Sequence, residues 1–401
     1  MTLHPPHSKP RRRVRSSRSR GHESVFQKTD VMPREEPLSA PTSVPVPVRQ
    51  RTALVMAGGT GGHIFPGLAL AEALRDRGWT VHWLGTPGSM EERIVTPKGF
   101  AFEAIDFSGV RGKGPMTLLR LPLRLLRACL QARAVVRRIQ PDVVIGLGGY
   151  VTFPGGIAAR LSKKPLVLHE QNSVPGMANK LLRRIATRVY TAFPNVLPGA
   201  HWVGNPLRRA FTKQRRPERR LAGREGPLRL LVVGGSLGAK ALNDIVPKAL
   251  AWIPADKRPI VTHQSGEAQI EALRLNYAAA GIEATLTPFI EDTAAAYADA
   301  DLILCRAGAS TVTEIAAVGA AAVFVPFPHA VDDHQTTNAQ YLVKVGGGWL
   351  VQQSDLTAHG LAEMLQNMKR SELMEKAQKA RTMKKVHATR EIVAACERLA
   401  R

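Results

Sequence analysis

ALVMAGGTGGHIFPGLALAEALRDRG (Ala53–Gly78) and LRLLVVGGSLGAKALND (Leu228–Asp244) follow one plan. Each runs from a short apolar strand through a glycine turn into an amphipathic helix. In the first, apolar residues recur at Leu68, Ala71 and Leu74, and Gly78 closes the helix. The strand VHWLGT (Val81–Thr86) follows, a βαβ start that calls for a parallel sheet with right-handed crossovers. Further strands are expected at Pro141–Gly149, Pro165–Asn172 and Arg188–Phe193. Behind the second turn they are expected at Ile260–His263, Ala284–Pro288, Leu302–Cys305 and Ala322–Phe327. The plan predicts an α/β chain of two Rossmann-like domains, residues 51–207 and 228–370, facing each other across a ligand cleft. The basic stretch 208–227 reads as the linker between them, and 371–401 as basic helices.

The 401 residues are 44% hydrophobic, enough for large cores without staples. Cys129, Cys305 and Cys396 are far apart in sequence, which excludes a disulfide framework or zinc motif and fits a reducing cytoplasm. Fifty-six Lys and Arg against 32 Asp and Glu give a net charge of +24, which points to an anionic partner: nucleic acid, a phosphate-bearing substrate or a lipid surface. No apolar run is long enough to span a bilayer. Residues 1–50 hold eight prolines and a net +6 with little apolar periodicity, so they read as a disordered basic tail. That tail is either a solvated appendage or the product of an upstream start codon, with Met32 an alternative start.

GGTGGH (Gly58–His63) is neither a GxGxxG fingerprint nor a Walker A loop. Its glycines let a substrate approach the backbone, and the helix behind it offers N–H groups to a phosphate. His63 at its end has the side chain for general-base work near neutral pH. Ser236 in GGSLGA (Gly234–Ala239) sits where a pyrophosphate can meet backbone amides. In CRAGASTVTE (Cys305–Glu314), a helix start near Ser310 can bind phosphate and Glu314 a ribose diol. A plain capping box fits the same residues. In DDHQTTNA (Asp332–Ala339), Asp333, Gln335 and Asn338 can read sugar hydroxyls, or simply form a polar loop and cap. Asp299-Ala300-Asp301 has the spacing of a metal-binding DxD, but Asp301 leads straight into an apolar strand and reads as a helix end; no metal or other cofactor is expected.

The segment Arg111–Gln140 interleaves leucines with arginines. Leu118, Leu119 and Leu126, with Arg120, Arg124 and Arg127, can lie on an anionic lipid interface. The alternative is an ordinary helix with one face in the core. The density of leucine exceeds what one core face needs.

Taken together, GGTGGHIFPGLALAEAL, GLGGYVTFPGGIAA, LVLHEQNSVPGMANK, GNPLR, GGSLGAKALN, HQSG, CRAGASTVTEIAA and DDHQTTNA resemble, in content and order, the motifs of the MurG family of bacterial glycosyltransferases, from about Thr52 onward. The resemblance implies the GT-B fold. It implies transfer of N-acetylglucosamine from UDP-N-acetylglucosamine to the 4-hydroxyl of the muramyl sugar of lipid I (undecaprenyl-pyrophosphoryl-MurNAc-pentapeptide), with inversion, without a divalent ion, at the cytoplasmic face of the plasma membrane. Position by position, it implies substrate contacts from Thr60, Gly61 and Gly62, and His63 as general base. Asn172 would touch the donor sugar, Arg208 and Ser236 the pyrophosphate, and Ile290 the uracil. Ala309, Ser310, Thr311, Val312, Thr313 and Glu314 would form the nucleotide-binding helix start, with Gln335 on the sugar hydroxyls. Tyr150 would lie on the acceptor side, and the leucine–arginine segment would face the membrane. Competing readings are a related transferase with another acceptor and a nucleic-acid binder. The latter finds no common nucleic-acid-binding motif in the sequence.

Overall fold

The computed structural model describes residues 49–109, 119–235 and 237–400; most of the N-terminal tail, Leu118 and Ser236 lie outside them. From Arg49 onward the chain forms one unit, built on two parallel sheets. The first holds β1 (Thr52–Met56), β2 (Thr80–Gly85), β3 (Ala101–Ala104), β4 (Val143–Gly146), β5 (Leu166–Glu170), β6 (Arg188–Thr191) and β7 (His201–Trp202), in the order β3-β2-β1-β4-β5-β6-β7. The second holds β8 (Arg229–Val233), β9 (Ile260–Gln264), β10 (Thr285–Thr287), β11 (Leu302–Cys305), β12 (Ala321–Phe324) and β13 (Trp349–Leu350), in the order β10-β9-β8-β11-β12-β13. The strand order reverses between β1 and β4 in one sheet and between β8 and β11 in the other. Those switch points are where an open α/β sheet leaves a crevice beyond its strand ends.

Helices cover both faces of each sheet. On the first, Ile64, Leu68, Ala71 and Leu74 of the helix Gly61–Arg75 enter one core cluster with Val55, Trp83 and Ile145. The last helix, Ala388–Leu399, returns to that core and inserts Ile392, Val393 and Cys396. The chain therefore crosses between the domains twice. The stretch 208–227 lies against the second domain. Phe211 is buried in its core, and the Arg220 guanidinium donates to the carbonyls of Ala298, Val318 and Gly319 at the ends of two helices. Asp299 and Asp301 pair with Arg224, Arg229 and Arg370 near the start of β11, at the opposite end of the strand from the cleft.

The helix Leu121–Ile139 divides its leucines between the core margin and the surface. Its core face consists of Ala128, Ala132, Val135 and Val136. Small residues suit the close approach to the neighbouring helix Thr152–Leu161. Leu121 and Leu125 pack at the margin of that core. Leu123, Leu126 and Leu130 stay outside with Leu119, which is 76% exposed. Arg127 reaches Asp106, and Arg124 donates to the Ser108 hydroxyl at 3.4 Å. Among the described residues, no helix is long and apolar enough to cross a membrane.

Candidate active site

In the first domain two glycine turns meet at the switch point, one after β1 and one after β4. Gly149 has φ +84°, and a Cβ there would lie 2.3 Å from the Gly58 carbonyl oxygen. Gly148, at φ +101°, faces His63, where a Cβ would lie 2.8 Å from the imidazole Cδ2. Only glycine lets the turns stack backbone on backbone with the imidazole against them. Thr60 caps the helix Gly61–Arg75 in extended conformation, and its carbonyl accepts the N–H of His63 at 3.0 Å. Its hydroxyl lies 3.3 Å from His63 Nδ1. Burial lowers the His63 pKa to about 4; a hydrogen bond to the Gly58 carbonyl and the Glu91 charge oppose this, and His334 from the facing domain adds to it. At neutral pH the imidazole is uncharged and has a lone pair to offer.

Glu91 underlies this arrangement. Its carboxylate is fully buried and accepts the N–H of Gly59 at 3.2 Å, the N–H of Thr86 at 3.3 Å and the Tyr150 hydroxyl at 3.2 Å. Burial first, then the Glu91 charge and hydrogen bond, push the Tyr150 hydroxyl up to about 12, so it stays a neutral donor. The Tyr150 ring lies across Gly59, 3.3 Å from where its Cβ would be. Sequence reading passed over Glu91 because an acid in the first turn of a short helix, Met90–Val95, looks like a surface residue. The loop after β5 is tied down by another buried acid. Glu170 accepts the N–H of Asn172 at 3.0 Å, the N–H of Gly176 at 2.9 Å and Asn179 Nδ2 at 2.9 Å.

The second domain presents the helix Ala309–Val318. Ala309, Val312 and Thr313 turn into the core, and the Thr313 hydroxyl donates to the Ala309 carbonyl at 2.8 Å. These three can meet a ligand only through the backbone. Ser310, Thr311 and Glu314 are half-buried on the other side. Burial raises the Glu314 pKa to about 7, with Arg208 opposing. The Arg208 guanidinium stands 5.8 Å from the Phe65 ring of the first domain and donates to Thr293 Oγ1 of the second at 3.4 Å. That hydroxyl donates in turn to the Ile290 carbonyl at 3.3 Å. Gln335 Oε1 accepts the N–H of Ala307 at 3.2 Å and of Phe327 at 3.0 Å, which fixes which way round its amide sits. Around Ser236, itself outside the described residues, the turn is tight: at Gly238, φ +75°, a Cβ would overlap the Ser265 carbonyl. Asn338 does not read sugars. It is fully buried, and its amide is spent on Ser173, Asn172 and Ala307. Among the described residues no cluster of three His, Cys, Asp or Glu stands together.

Two abutting domains, each with helix N-termini at its switch point, suit a phosphorylated ligand held between them. Residues 53–191 match the glycosyltransferase family 28 N-terminal domain, and 229–393 match the C-terminal domain of the same family. The chain belongs to glycosyltransferase family 28. Its family 28 relative from Acidovorax sp. (strain JS42), a UDP-N-acetylglucosamine--N-acetylmuramyl-(pentapeptide) pyrophosphoryl-undecaprenol N-acetylglucosamine transferase, is 82% identical over 98% of both chains. The crystal structure of Acinetobacter baumannii MurG superposes with a TM-score of 0.75 at 42% identity, covering 87% of this chain and 99% of that one. The calicheamicin glycosyltransferase CalG4 shares the fold at a TM-score of 0.62 and 17% identity, covering 88% of this chain and all of that one. The glycine turns, the HEQN loop and the Ala309–Val318 helix thus sit on a family 28 glycosyltransferase scaffold.

Proposed function

We propose that this chain transfers N-acetylglucosamine from UDP-N-acetylglucosamine to the 4-hydroxyl of the muramyl sugar of lipid I, giving lipid II for the cell wall. The observation that carries this reading is the division of chemistry across the cleft. The helix that begins at His63's turn packs against the helix Ala309–Val318, which carries Glu314, and Phe65 of the former lies 5.8 Å from the Arg208 guanidinium. His63 takes the acceptor 4-hydroxyl proton as that oxygen attacks the anomeric carbon, while the bond to UDP breaks on the opposite face and inverts the centre. Negative charge builds on the leaving diphosphate, where Arg208, the amides around Ser236 and the helix start at Ala309–Ser310 stabilise it. Glu314 receives the ribose hydroxyls, Ile290 the uracil, and Asn172 and Gln335 the sugar. Thr60, Gly61 and Gly62 line the turn that both substrates reach, and Tyr150 stands toward the acceptor.

The exposed leucines of the helix Leu121–Ile139, flanked by Arg120, Arg124 and Arg127, rest on the anionic surface that carries the lipid acceptor. The enzyme then works as a peripheral protein on the cytoplasmic face of the inner membrane. UDP release from UDP-N-acetylglucosamine, with and without a lipid I analogue and in EDTA, tests the reading. Turnover that requires the analogue and survives EDTA is expected. Donor binding without turnover would assign another acceptor.

A further inference from the structure

The loop after β5 reaches across to the helix His334–Val343 of the second domain. The Ser173 N–H donates to Asn338 Oδ1 at 2.9 Å, and the Ser173 hydroxyl to the same oxygen at 2.8 Å. Asn338 Nδ2 donates to the Ala307 carbonyl at 3.2 Å and to Asn172 Oδ1 at 3.3 Å. An amide has two acceptor sites and two N–H groups, and all four are used. The backbone N–H of Ser173 can only donate and the Ala307 carbonyl can only accept, so the Asn338 amide fits one way round.

That order passes to Asn172. Its oxygen is drawn to Asn338 of the second domain, which turns its nitrogen the other way. With the oxygen assigned, the Asn172 amide N–H groups point away from Asn338 and are the donors that the site reading gives to the sugar nucleotide. We propose that Asn338 is a positioning residue: it orients the Asn172 amide across the domain boundary, so that Asn172 offers an N–H to an oxygen of the sugar nucleotide only while the two domains are together. The proposal rests on reading Asn172 as a sugar-donor contact. It makes recognition of the sugar nucleotide depend on domain contact, with Ser173 anchoring the device.

A double-mutant cycle on the full chain tests this. Asn338→Asp keeps an acceptor for Ser173 but sets a carboxylate oxygen against Asn172, which invites that amide to turn over. Asn338→Ala carries the same cycle should the carboxylate unfold the protein. The expected result is a rise in the UDP-N-acetylglucosamine KM of about 3- to 10-fold, the range for losing one neutral hydrogen bond, with a matching rise in Asn172→Ala and no further rise in the double variant. A double variant whose loss is the product of the two singles would overturn the proposal and leave the site reading standing. Asn172→Ala with an unchanged KM would overturn both. A merely structural role for Asn338 lowers the melting temperature without this non-additivity.

Discussion

The two glycine turns that open the two domains look alike in sequence and differ in what braces them. Gly58–His63 rests on a buried carboxylate and on the backbone of a second glycine turn, with an imidazole at its end. Among the described residues, the turn Gly234–Ala239 rests on backbone and on the neutral side-chain amides of Gln264 and Gln269. Gly238 packs on Ser265 and Gly266, Gln264 donates to the Gly235 carbonyl at 3.1 Å, and no titratable side chain stands in the turn. On the proposed mechanism, one local device supports two tasks. Where a proton must move, charged and neutral groups are held against the turn. Where a diphosphate need only be bound, close-packed amides suffice.

The largest test of that division is His63→Ala. It should lower kcat by about 10²–10⁴-fold while the UDP-N-acetylglucosamine KM stays close to the parent's. A loss below tenfold would move the base elsewhere and blur the contrast. Reversing Arg120, Arg124 and Arg127 to glutamate addresses the first domain's other task. At about 1 kcal/mol for each cation near an anionic surface, affinity for anionic vesicles should fall by about 100-fold. Turnover of a water-soluble acceptor analogue should persist. Equal vesicle binding would leave the exposed leucines without a lipid partner.

The smallest effect sharpens the second domain. A carboxyl held near pH 7 by burial is ionised above that pH and neutral below it. Ribose hydroxyls donate best to the ionised form, so the UDP-N-acetylglucosamine KM should climb as pH falls through about 7. Glu314→Gln should raise that KM by about tenfold, the cost of one charge-assisted hydrogen bond, and flatten its pH dependence. His63, lowered to about 4, stays uncharged throughout this window and contributes no limb there. A limb near pH 7 that survives Glu314→Gln would take the ribose role from Glu314.

Much of this was legible from residue order. Strands such as Val143–Gly146 and Leu302–Cys305 are apolar runs ending at glycine or polar residues, the pattern of a parallel strand buried on both faces. The short edge strands Ala101–Ala104, His201–Trp202 and Trp349–Leu350 escaped notice, because a half-covered edge needs no apolar run. The leucines beside Arg120–Arg127 stood out as too many for one core face, and the structure puts alanine and valine on that face instead.

The sequence alone determined the repeated strand–turn–helix plan, the parallel sheets and the candidate turns, because these follow from local periodicity and from glycine's freedom at a tight bend. Tertiary structure alone decided the rest. Glu91 comes from a helix between two strands to lie beneath a turn more than thirty residues upstream. Asn338, which looked like a sugar reader, is instead spent on Ser173 and Asn172, more than 160 residues before it. The final helix returns to a core at the other end of the chain. Such pairings carry no local signature. A buried polar group must find its partner wherever folding brings one within reach, and one-dimensional spacing does not record that distance.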